Sequence, residues 1–139
     1  MEFTGYIDFW FTDRPMLQRV EAFAKLGIKR LDVWCWRLFD IAELAAECKR
    51  HGCVINSTFD DQMGSLVDPG DNELTYRTWN ESLEMAARLG VEHLFIFSNQ
   101  VDLVDGREWT RRLSRYVTEA EQYANLLAQT ERILKLAEQ

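Results

Sequence analysis

The sequence is poor in the features that settle a chemistry at sight. Its 139 residues include 3 cysteines and 2 histidines. No CxxC pair, HExxH, GxGxxG or Walker loop occurs, so the common zinc, dinucleotide and phosphate-loop signatures are missing. An odd number of cysteines offers no disulfide framework, and a reducing, cytoplasmic compartment is expected. No apolar run approaches the ~18–20 residues of a membrane helix, and the N-terminus lacks a basic-then-apolar leader pattern. Lys and Arg total 16 against 23 Asp and Glu, a formal charge of −7. Without a basic cluster, neither nucleic acid nor an anionic membrane is an expected partner. No linker or low-complexity tract divides the chain, which reads as one domain over 1–139.

What the chain has is bulk and period. Five Trp, eight Phe and four Tyr supply a real core and exclude a disordered chain. Short apolar runs alternate with longer helical patterns, the signature of a parallel sheet with crossover helices. Strands are expected near 3–11, 29–36, 53–59 and 91–98, and helices near 14–26, 40–51, 72–89 and 107–138. The fold class is therefore α/β, with four parallel strands alternating with four helices. Asp13 is the expected cap of the first helix, with Pro15 in its first turn. The joints AKLGIKRLDVW, KRHGCVINSTF and ARLGVEHLFIF each place a glycine (Gly27, Gly52, Gly90) where a helix turns left-handed into a strand. Loops at 60–71 and 99–106 are longer than the pattern needs. Both follow strand carboxyl ends, where α/β proteins build their sites.

The candidate substrate-binding set is Trp10, Asp32, Trp34, Trp36, Asp60, Ser98 and Asn99. Alternation in the second strand puts Asp32, Trp34 and Trp36 on one face and Leu31, Val33 and Cys35 on the other. The first face suits a polyol pocket; equally, its tryptophans fill a barrel centre. After strands three and four come Asp60, Asp61, Ser98, Asn99 and Gln100. Their amides and hydroxyls suit hydrogen bonds to a hydroxylated ligand, though for Asp61 and Gln100 local turn chemistry is the favoured reading. Adjacent Asp60 and Asp61 would diverge in extended backbone, so no tight divalent-metal site is expected there. His51 reads as a cation at a helix C-terminus, and His93 lies away from the long loops. Cys35, Cys48 and Cys53 read as small buried hydrophobes.

LDVWCW in the second strand, GSLVDP (Gly64 to Pro69) and ESLEMAARLGVEHLFIF (Glu81 to Phe97) together resemble hydroxypyruvate isomerase-like proteins. These belong to the xylose isomerase-like TIM barrels, with sugar isomerases, epimerases and inosose dehydratases. The resemblance spans nearly the whole chain but only the first half of the family's barrel. It implies a (βα)4 half-barrel and a small hydroxylated or sugar-like ligand. The family has Glu where Asp32 stands, and a glycine-containing loop where Ser98-Asn99-Gln100 stand. Its metal-binding Glu belongs to an EPLN-like fifth strand, which this sequence does not contain. No catalytic residue carries over, and no metal or other cofactor is expected. Moving a carbonyl along a hydroxy-carbonyl compound needs a base, an acid and a metal to hold the enediolate. Metal-dependent isomerisation by a monomer is therefore not expected. Two bare sheet edges and an open barrel interior imply self-association to at least a dimer. Alternatives are a non-catalytic self-assembling protein, or a dimer that completes an eight-stranded barrel with its own site from Asp32 and Asp60.

Overall fold

The computed structural model describes residues 3–60, 64–99, 101–104, 108–111, 113 and 115–138. The chain divides into two compact units, Met1–Asp60 with Met85–Phe95, and Asp61–Glu84 with Ile96–Gln139.

The first unit carries one parallel sheet in the order β1-β2-β3-β4 (Thr4–Tyr6, Arg30–Val33, Val54–Thr58, His93–Leu94). Between its strands run α1 (Met16–Lys25), α2 (Ile41–Arg50) and the end of α3 (Asn72–Leu89). Gly27, Gly52 and Gly90 all have positive φ, so each expected helix-to-strand joint is made by a residue without a Cβ to obstruct it. Leu31, Val33 and Ile55 from the strands and Ile7 just beyond β1 meet Val20, Phe23, Leu44, Cys48, Met85 and Ala86 from the helices in one core. That helical side of the sheet is closed. Gly5 makes the closest approach: a Cβ there would lie 2.3 Å from Phe23 Cε1, so Phe23 can lie against β1 only because Gly5 has no side chain.

Several boundaries differ from the sequence reading. The first strand ends at Tyr6 rather than near 11. Beyond it the Arg19 guanidinium takes the carbonyls of Ile7 and Asp8, both at 3.1 Å, and the chain turns away. Helix α1 starts at Met16 with Pro15 as its N-cap. Asp13 does not cap it; its carboxylate pairs with Arg14. β2 ends at Val33 and a 3₁₀ turn follows at Trp36–Leu38. β4 has only two residues, His93–Leu94, rather than spanning 91–98.

In the second unit, β5 (Val101–Val104) and β6 (Glu108–Arg111) pair antiparallel where a loop and a helix start were expected. The last helix, α4 (Glu119–Ala137), begins later, at a capping box of Thr118 and Glu121. That reciprocal cap is a stronger start signal than the bare helical period that suggested residue 107. The GSLVDP segment is buried from Ser65 to Asp68. Asn125 of α4 donates to the Leu66 carbonyl at 2.9 Å and exchanges amide hydrogen bonds with Asn72. Ser65 N–H donates to Asp71, and Gly70 N–H to Asp68. The most specific motif of the family resemblance is thus a packed, internally bonded loop.

Gly5→Ala should destabilise the protein by ~1–3 kcal/mol, the usual cost of overpacking a closed core. A lowered urea midpoint with an unchanged slope is the expected readout.

Candidate functional site

The other face of the first unit's sheet is built from the opposite strand positions. Ile7 enters the core, so Tyr6 and Asp8 take the alternate side, as do Asp32 on the neighbouring strand and Trp34 just past its end. The register between β2 and β3 slips between Leu31 and Asp32, so Leu31 pairs with Ile55 but Asp32 with Ser57. The slip brings two donors to one carboxylate oxygen: Asn56 Nδ2 at 2.7 Å and the Ser57 hydroxyl, both donating to Asp32 Oδ1. Asn56 Oδ1 in turn accepts from Arg30, which pairs with Glu92. Asp32 is 4% exposed. Among the described residues its Oδ2 accepts no hydrogen bond and neither oxygen has an ion pair, so Arg30 reaches Asp32 only through Asn56.

Aromatic rings cluster around Tyr6, the β1 partner of Asp32. Tyr6, Phe9 and Trp34 form a triangle with centroids 5.9, 6.1 and 6.4 Å apart. Phe95 stacks on Tyr6 at 6.4 Å, and Phe59 lies 5.5 Å from Trp34. Asp8 accepts from the Trp34 backbone N–H at 2.7 Å. Burial holds the Asp8 carboxyl above its ordinary pKa, against the opposing pull of that N–H and of Arg19. The Tyr6 phenol is also pushed up, by burial first and then by the charges of Asp32 and Asp8, which places both carboxylates in its field.

The residues singled out from sequence do not all meet. Asp32 and Trp34 stand together on this face. Trp36 has left the strand: it packs against the helix-side core with the Arg37 guanidinium 4.3 Å over its ring. Trp10 is 54% exposed and neighbours Phe11 and Phe23 instead of Trp34. Asp60 is fully buried and bound by Arg37 at 2.7 Å. Ser98 and Asn99 belong to the second unit, where Ser98 is exposed and Asn99 accepts from the Ser65 hydroxyl. Asp61 and Gln100 lie outside the described residues. The sequence reading missed Tyr6, Asp8, Asn56 and Phe95. The alternation of FTGYIDFWF carried the signal for Tyr6 and Asp8; only the register slip reveals Asn56.

Among the described residues, a divalent metal of the kind the resembled family uses finds no donor set. Hard cations need about six converging oxygens. Asp60 is committed to Arg37, Asp32 Oδ1 to two donors, and among the described residues no three ligating side chains converge. The remaining sequence candidates are structural. His51 ends α2 against Glu47, and His93 Nδ1 meets the Asn56 carbonyl. All three cysteines are free and buried, and burial pushes the Cys48 thiol up to about 12.

No protein-family model matches the chain, and no curated protein is significantly similar to it. Solved structures are. A structure of AP endonuclease, family 2, from Brucella melitensis superposes with TM-score 0.76 at 17% identity, over 99% of this chain and 51% of its own. D-psicose 3-epimerase with D-tagatose from Clostridium cellulolyticum H10 gives 0.71 at 15%, over 99% and 49%. The fold is that of half a TIM barrel. The chain spans about half the length of these structures, and identities this low speak for the fold alone. In the half-barrel, the Tyr6–Asp32–Trp34 face is the one turned from the helices.

Three substitutions probe this face. Asp32→Asn keeps the oxygen that Asn56 and Ser57 donate to and should leave the urea midpoint nearly unchanged. Asp32→Ala removes the acceptor from both donors and should cost ~1–3 kcal/mol. For Asp8 the folded pKa lies above the unfolded one, so its contribution is full at low pH and is lost as pH rises through the raised value. Asp8→Asn should therefore be more stable than the parent at neutral pH. The two curves should converge below about pH 4, where the unfolded carboxyl is protonated as well.

Proposed function

We propose that this chain is a binding scaffold for sugars or related polyols, of the isomerase/epimerase type and similar to hydroxypyruvate isomerase-like proteins. As a monomer it performs no metal-dependent isomerisation. The observation that carries the reading is the pairing of exposed aromatic faces with a buried, half-satisfied carboxylate. Sugars present apolar C–H faces that stack on rings and hydroxyls that donate to carboxylates. Trp34, Tyr6 and Phe95 supply the rings; Asp32 Oδ2 supplies the acceptor. The acidic balance of the chain supports a small ligand over nucleic acid. Its buried, reduced cysteines support a cytoplasmic setting, and among the described residues no helix is long and apolar enough to cross a membrane.

Titration with D-tagatose, followed by tryptophan fluorescence, tests this. Saturable quenching is expected, with affinity reduced at least about tenfold, ~1.4 kcal/mol, in Trp34→Ala. An unchanged isotherm in that variant, or none in the parent, would sink the reading. Addition of Mn²⁺ should leave the ketose unconverted by monomeric protein.

The second reading is self-association to at least a dimer, in its fullest form two copies closing an eight-stranded barrel. It is favoured by the sheet's ends: β1 and β4 each pair on one side only, and Phe3 beside β1 is 68% exposed. Sedimentation across a concentration series should show a dimer by tens of micromolar. A strict monomer at high micromolar concentration excludes it.

A further inference from the structure

The first unit neutralises its other buried carboxylates with its own cations. Asp60 pairs with Arg37 at 2.7 Å; Glu47 pairs with Arg50 and with His51 Nε2. Asp8 and Asp32 are treated differently. Neither has an ion pair among the described residues, although both act on the same phenol of Tyr6. The nearby cations are engaged elsewhere. Arg19 donates to the carbonyls of Ile7, Asp8 and Arg14, and Arg30 to Asn56 and Glu92. His93, on β4, faces the Asn56 carbonyl.

The same two carboxylates adjoin the aromatic triangle of Tyr6, Phe9 and Trp34. Phe9 and Trp34 are exposed, so the ring faces are open to a ligand. Rings around a site attract a cation through their quadrupoles, and carboxylates behind them add direct attraction. A neutral sugar would use the rings but bring no positive charge to the two carboxylates at a partly desolvated site.

Resting on the polyol reading above, we propose that the ligand of this face is cationic: an amine-bearing sugar or polyol whose ammonium lies against Tyr6, Phe9 and Trp34, with Asp8 and Asp32 as its counter-charges. Asp32 Oδ2, which accepts from no described group, takes one ammonium hydrogen. The hydroxylated remainder stacks on the exposed rings. Burial holds the Asp8 carboxyl up in the free protein, and a bound ammonium would draw it down, so binding releases a proton as pH approaches that group's range.

The test compares D-glucosamine with D-glucose and D-tagatose by calorimetry on the unmodified chain at neutral pH. Glucosamine should bind at least about tenfold more tightly than glucose, with the preference shrinking as salt rises and as pH falls into the carboxylate range. Asp8→Asn and Asp32→Asn should each narrow that preference at least about threefold. Glucose or tagatose binding as tightly as glucosamine would overturn the cationic ligand and leave the polyol reading standing. No binding by any of the three would overturn both. A glucosamine preference untouched by either variant would overturn the assignment to Asp8 and Asp32.

Discussion

The slip of register between β2 and β3 is the constraint on which the open face depends. Regular pairing would give Asp32 one neighbour on β3; the slip gives it two donors, Asn56 and Ser57, at a single oxygen. A carboxylate this buried is costly unless hydrogen-bonded. Two donors satisfy Oδ1, and Oδ2 accepts from no described group. Because the donors come from the neighbouring strand, the same bonds fix the strand pairing that holds Trp34 beside Tyr6. Site geometry and sheet geometry are here one set of contacts.

That arrangement holds only because the other face is fully closed. Phe23 lies over Gly5 with no room for a side chain, and Leu31, Val33 and Ile55 face Leu44, Cys48 and Met85. With the apolar positions of β2 consumed on that side, alternation leaves Asp32 and Trp34 no choice of face. A shift by one residue would bury Asp32 among helices and expose Val33, so the hydrophobic pattern itself guards the orientation of the carboxylate.

Much of this was legible in the sequence, for local reasons. The three helix-glycine-strand joints and the Leu31/Val33 face follow from backbone preference and period alone, and the structure has both; Cys35, beyond the strand end, is buried outside that cluster. What was not legible depended on distant side chains. Arg19 ends the first strand by taking carbonyls twelve and eleven residues upstream. Trp36 could not be assigned by alternation because the strand stops at Val33, where the chain turns to meet the core. Asp60 looked like a ligand-facing acid at a strand end, and Arg37 across the same strand ends claims it. The long last helix was extended too far back because its periodic pattern is ambiguous before Thr118, whereas the capping box is not.

The charge pattern limits the chemistry available to this half-barrel. An isomerase must remove a carbon-bound proton on one side of its substrate and return it, while an electrophile holds the oxygens. The described open face offers carboxylates from adjacent strands, Asp8 and Asp32, that share one neighbouring phenol. Both lie on the side of the sheet turned from the helices, so they would meet a ligand from one side. Asp60, the carboxylate on the next strand across, is held by Arg37 and is not free to take the second role. The proposed binding therefore needs only groups described on this face, whereas proton transfer across a substrate needs groups facing it from the opposite wall.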